Sequence, residues 1–124
     1  MCRANFDNGQ HPGKLWDGTC NVGWGGTTIY FDNYEVLQDQ GYAWEDASVG
    51  LPANAIDGGD SGDGGGHTRM GVCQAFDGRD GTWHPGKFFA GNCNYAWGGS
   101  RTDGLGVEVA AAPGRGTVFV LVAK

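Results

Sequence analysis

His11-Pro-Gly-Lys-Leu-Trp-Asp-Gly-Thr-Cys-Asn-Val-Gly-Trp-Gly-Gly26 returns later in the chain as His84-Pro-Gly-Lys-Phe-Phe-Ala-Gly-Asn-Cys-Asn-Tyr-Ala-Trp-Gly-Gly99. Ten of the sixteen positions are identical at a constant offset, 84 − 11 = 73. The offset continues from Glu35-Val36 to Glu108-Val109, since 108 − 35 = 73. Upstream, Cys2-Arg3-Ala4 answers Cys73-Gln74-Ala75, with two extra residues in the second copy. Each copy is too short to bury a core of its own, so the two are expected to fold as one pseudo-twofold domain. Repeat 1 covers about 1–40, repeat 2 about 44–112, and an apolar C-terminal strand follows at 117–123.

Around that repeat the local signals are strand and turn. Pro-Gly, Asp-Gly, Asn-Gly and Gly-Gly pairs recur every few residues and leave no window with helical periodicity. Short β-rich segments lie between them: Cys2–Phe6, Lys14–Trp16, Thr27–Phe31, Tyr34–Leu37, Met70–Phe76, Lys87–Ala90, Val107–Ala111 and Thr117–Ala123. The last is continuously apolar, which suits a strand buried on both faces. With 25 Gly but 12 % aromatics in 124 residues, the chain is neither disordered nor collagenous. The fold class is all-β: one compact domain of short antiparallel strands. Ala47 to Gly66 is the one long irregular stretch, a functional loop or a loose linker joining the copies.

The net charge is 8 − 14 = −6, with the basic residues scattered, so nucleic acid and anionic membrane are poor partners. Thr117–Ala123 is too short to span a bilayer, and the first ten residues hold no apolar leader. That reading expects a cytoplasmic protein or one released by an unconventional route. Cys2, Cys20, Cys73 and Cys93 form no C-x-x-C pair, which excludes zinc-ribbon and thioredoxin-like motifs. Each His-Pro-Gly lies midway between two cysteines. If it is a hairpin turn, Cys2 faces Cys20 and Cys73 faces Cys93 across antiparallel strands. The alternative is four reduced core thiols, and the missing leader tips the expectation towards it.

Enzyme motifs do not hold up. Gly59-Asp60-Ser61-Gly62 matches a serine-protease string, but the chain is too short for that two-barrel fold. Asp57 to Asp63 lacks the glutamate of an EF-hand. His11 and His84 each precede a proline and read as surface turn residues rather than a metal pair. Glu35 and Glu108, as repeat equivalents, should lie on opposite sides of the pseudo-twofold, away from any shared glycosidase cleft. What remains is a polar, aromatic-rich, repeated surface. Sugars are held by charged and amide groups that donate to and accept from vicinal hydroxyls, with an aromatic face on the C–H side of the ring. Lys14 and Lys87 follow a Pro-Gly where a ligand can approach the backbone. Trp24 and Trp97 read as core.

The combined string resembles the DM-nine (DM9) repeat family. It consists of Pro-Gly-Lys, then Gly-x-Cys, an aromatic before Gly-Gly, and Tyr34-Glu35-Val36-Leu37. The second copy opens similarly with Trp44, Gly50-Leu51-Pro52, Asn54-Ala55-Ile56 and Gly58-Gly59, and runs on to Val72-Cys73-Gln74-Ala75. The family includes tandem-repeat mannose-binding lectins and parts of natterin-like proteins. The resemblance implies a non-catalytic module that binds mannose or mannose-containing glycans without a metal or other cofactor. Residue by residue it assigns the sugar to Asp63 and Lys87, with Asp60 the second choice because His67–Arg69 reads as a short insertion. Lys14 matches the same motif in the first copy, where the partnering Asp has no match. Useful avidity implies a homodimer or higher homo-oligomer. The competing reading is a protein-interaction domain of a toxin- or defence-associated protein.

Overall fold

The computed structural model describes residues 1–38, 41–48 and 50–123 and is all-β. The first copy supplies β1 (Cys2–Phe6), β2 (Gly9–Trp16), β3 (Thr19–Trp24), β4 (Thr27–Phe31) and the short β5 (Glu35–Val36). After β6 (Tyr42–Asp46) and β7 (Gly59–Asp60), the second copy supplies β8 (Arg69–Asp77), β9 (Thr82–Phe89), β10 (Asn92–Trp97) and β11 (Val107–Ala111). β12 (Val118–Ala123) ends the described chain. The strands pair in the order β5-β1-β2-β3-β4-β11-β10-β9-β8-β12-β6, with β7 beside β8. That order is the repeat made visible: β1–β4 run up to a junction and β11–β8 run away from it, with Val107 opposite Thr27 at the join.

His-Pro-Gly is not a turn. In both copies it lies inside a strand, β2 or β9. The hairpin turns fall earlier, at Asp7-Asn8, both with positive φ, and across Gly78–Gly81. The motif marks the place where β2 changes partner. Residues 9–13 pair with β1 and residues 14–16 with β3. A Cβ on Gly13 would strike the Asn21 backbone, and one on Gly86 the Asn94 backbone, so the crossing admits only glycine. Because β1 and β3 converge over this point, the structure joins Cys2 to Cys20, and Cys73 to Cys93, as disulfides with Cα atoms 5.9 Å apart. The pairing follows the expected symmetry, while the expectation of reduced thiols is corrected.

The apolar side chains gather in two unequal clusters. The second copy holds the larger one, with Ala75, Phe88, Tyr95, Val118, Val120 and Val122 packed around the Cys73–Cys93 bond. Among the described residues the first copy buries Ala4 and Val22 beside the Cys2–Cys20 bond, backed by Phe31 and Tyr34. β12 is buried as its apolar run predicts, but beside β8, with Val118 opposite Ala75. It therefore closes the second copy, not the first, whose outer edge is covered by β5. The Ala47–Gly66 stretch, apart from Val49, which is outside the described residues, is not a loose linker. Ala47 and Ser61 are fully buried, Ala55 bridges Val122, and the Asp63 amide donates to the Asp7 carbonyl.

Candidate functional site

β2 and β9 pack against each other across the pseudo-twofold, and each lends the other a histidine. The Lys14 ammonium donates to His84 Nδ1 at 3.1 Å and to the Ala96 carbonyl at 2.9 Å. In the mirrored contact, Lys87 Nζ lies 3.4 Å from His11 Nδ1. The tautomers follow from the other ring nitrogen. His11 Nε2 donates to the Phe6 carbonyl at 3.2 Å, and His84 Nε2 donates to Asp80 Oδ2 at 2.8 Å, so both Nδ1 atoms are free to accept. Both histidines are buried, which corrects their reading as surface turn residues.

The two ends of this arrangement differ in access. Lys87 is 2 % exposed, with its ammonium 4.7 Å from the centre of the Trp24 ring. Trp24 is itself edge-on to Phe6 and His11, and Gly64 lies against the rim of its six-membered ring, where a Cβ would come within 2.8 Å of Cζ2. Burial pushes the Lys87 ammonium down to about 8, against an upward pull from Glu108. Burial, then the neighbouring Lys87 charge, pushes His11 down to about 4. In the unfolded chain Lys87 returns to 10.5. Between pH 8 and 10.5 the unfolded state thus holds more protons, and stability rises with pH. Urea denaturation at pH 8 and pH 10 should show a rise in the wild type that is smaller in Lys87→Met. The full contribution of this one group is about 3 kcal/mol.

Lys14, by contrast, lines an open cavity of about 700 Å³ together with Asp80, His84, Trp97, Trp16 and Trp83. Two of its three N–H groups are used, which leaves one without a partner among the described residues. Burial lowers its pKa, and Asp80 and Asp77 pull it back up. Asp80 is held in place by the Thr82 amide and hydroxyl, His84 Nε2 and the Trp97 indole N–H at 3.2 Å. Burial opposes its charge, but these donors prevail and hold the carboxyl down at about 2. Asp80 keeps a third of its side chain exposed, so a ligand hydroxyl can take the place of the Thr82 hydroxyl. Behind it, Tyr95 stacks on His84 at 4.9 Å and donates to the buried Asp77 at 2.7 Å, while Arg79 lies 3.7 Å over the Trp97 ring. The wall presents a donor, an acceptor and aromatic faces, each side chain held by the contacts behind it.

Asp63 sits elsewhere. It begins a single turn of 3₁₀ helix, is exposed, and accepts from Asn8 Nδ2 at 2.8 Å and His67 Nε2 at 2.7 Å. These two donors lower its pKa. Asp60 holds the other nitrogen of the same imidazole at 2.9 Å and borders a shallow depression formed by Asn5–Gln10. Lys87 lines neither that depression nor the larger cavity, and no hydrogen bond joins it to Asp63 among the described residues. Ser61 is fully buried, with its hydroxyl accepting from the Thr68 amide at 2.8 Å, so Gly59–Gly62, which includes β7, serves the packing of the fold. Among the described residues no group of three or more His, Cys, Asp or Glu is placed to hold a metal ion.

The profile of the DM9 repeat matches residues 1–67, more than half of the chain. The chain belongs to the DM9 repeat family. No curated protein and no solved structure matches it. The DM9 repeat is a non-catalytic domain type, compatible with carbohydrate binding. Within this DM9 domain, sequence reasoning missed His84, Asp80 and the tryptophans of the cavity. A signal for His84 existed, because a histidine precedes each Pro-Gly-Lys at the same spacing. Asp80 had none, since it falls in the two-residue expansion of the second hairpin, which copy one lacks.

Proposed function

We propose that this DM9 chain is a lectin that binds neutral, mannose-type sugars at the cavity around Lys14. The observation that supports this most is an ammonium with an uncommitted N–H sharing one aromatic-walled hollow with an ionised carboxylate, Asp80. Lys14 donates to adjacent ring hydroxyls, Asp80 accepts from them, and an indole covers the C–H face. Asp63 and Lys87 form the second candidate site. Reaching Lys87 requires the Trp24 ring to move off the ammonium, so this site should be the weaker. The order expected from the sequence, with Lys87 ahead of Lys14, is thereby reversed.

Few groups are buried by one sugar ring, so the monosaccharide Kd should lie on the order of 0.1–1 mM. Strong attachment to a glycan-coated surface then calls for a homo-oligomer, with avidity gains of roughly 10²-fold. Calorimetric titration of mannose, galactose and glucose into the purified chain tests the reading. Saturable mannose binding in this range supports it. A chain that binds none of the three sugars, alone or on a glycan array, contradicts it.

A further inference from the structure

The Lys14 cavity is larger than a monosaccharide needs. A pyranose with its hydroxyls fills on the order of 200 Å³, several times a water's share of the liquid. The cavity holds about 700 Å³. Its mouth is lined by Trp16 and Trp83, which stay 68 % and 43 % exposed. Such exposure of two indoles contributes little to the core, and large exposed apolar faces mark binding surfaces. The Trp83 ring is held on two sides. Trp83 is edge-on to Phe76 at 5.4 Å and to Phe119 at 5.5 Å, which fixes its plane. The Trp16 backbone is fixed at the end of β2 opposite Thr19, beside the tight Asp17-Gly18 turn, and its indole extends into solvent at 68 % exposure. The Trp83 face, already in place, binds with little further ordering cost, and the Trp16 ring is ordered by the sugar it stacks on.

The charges around the cavity identify the kind of ligand. Among the charged side chains, Lys14 and Arg101 line it together with Asp17 and Asp80, two of each sign. Arg101 is committed to a bidentate pair with Asp32 at 2.7 and 2.9 Å. The side chains thus offer an acidic sugar no surplus of positive charge.

Resting on the sugar-binding reading, we infer that this cavity takes a neutral oligosaccharide of two or more rings. One ring sits on Lys14 and Asp80, and the next stacks on an outer platform made by Trp16 and Trp83. A peptide strand would need backbone donors and acceptors at the mouth, where the indoles instead offer flat apolar faces suited to the C–H side of a pyranose.

The test compares methyl α-mannoside with a linear α-linked mannotriose by titration calorimetry, using wild type, Trp16→Ala and Trp83→Phe. Wild type should bind the trisaccharide about tenfold more tightly than the methyl glycoside. That gain should vanish in Trp16→Ala and shrink in Trp83→Phe, with thermal unfolding confirming that both variants are folded. Equal affinity of wild type for the two sugars overturns the outer platform and leaves the Lys14 site standing. A chain-length gain that survives both substitutions also overturns it. Binding of neither sugar by wild type overturns the platform and the lectin reading together.

Discussion

Replacing Lys14 by Ala should weaken mannoside binding by about 10- to 100-fold, the usual consequence of deleting a charged hydrogen-bond donor. From a starting Kd near the millimolar range, that leaves no measurable heat in a titration. The lesion should be local. Among the described residues the Lys14 ammonium bonds only to His84 Nδ1 and the Ala96 carbonyl, and both partners are held in their strands by backbone pairing that does not involve Lys14. Asp80→Asn should weaken binding too, by a different route. The amide removes the negative charge facing Lys14 and disturbs an oxygen that now accepts from both His84 and Trp97. Asp63→Ala should have a smaller effect than either, since its carboxylate is occupied by Asn8 and His67 away from the cavity. An Asp63→Ala loss as large as that of Lys14→Ala would place the sugar at the 3₁₀ turn instead.

Reducing both disulfides should unfold the domain at 37 °C. The bonds close loops with sequence separations of 18 and 20 residues. Loops of that length give about 3 kcal/mol each from restricting the unfolded chain. Together they approach the whole stability of a domain this small, on the order of 5–10 kcal/mol. The two contributions should differ in kind. The first copy has Ala4 and Val22 as the buried hydrocarbon packed beside Cys2 and Cys20, so it leans on its disulfide, whereas the second copy retains the Val118–Val120–Val122 stripe of β12. A Cys2→Ser/Cys20→Ser double variant should therefore fray β1 and β5 first, seen as loss of amide protection there before the rest of the sheet opens. A melting temperature unchanged by reductant would contradict this account.

Much of the architecture can be read from the chain because the repeat is written into it. Identical spacing from His11 to Gly26 and from His84 to Gly99 implies two equivalent halves, and the strand order duly mirrors itself about the β4–β11 junction. The cysteine pairing was legible for the same reason, although its cause is a strand crossing over glycine and not a turn. β3 and β10 were less legible, because Thr19–Trp24 and Asn92–Trp97 put asparagine and small residues where a buried strand ordinarily carries aliphatic ones. The site was harder still. Lys14 meets a histidine 70 residues away, and Lys87 meets one 76 residues away, contacts that exist only once the halves face each other. Which lysine stays open depends on what covers it. Trp24, backed by Gly64, closes over one, and the other is left at the edge of a cavity by the longer hairpin carrying Asp80.

A crystal structure of the chain soaked or grown with methyl α-mannoside is the most direct measurement. The account predicts a pyranose in the hollow beside β2 and β10, with one or two hydroxyls within hydrogen-bond distance of Lys14 Nζ and an indole against its C–H face. A sugar resting on Asp63 and Lys87, with the Lys14 cavity filled only by solvent, would contradict it.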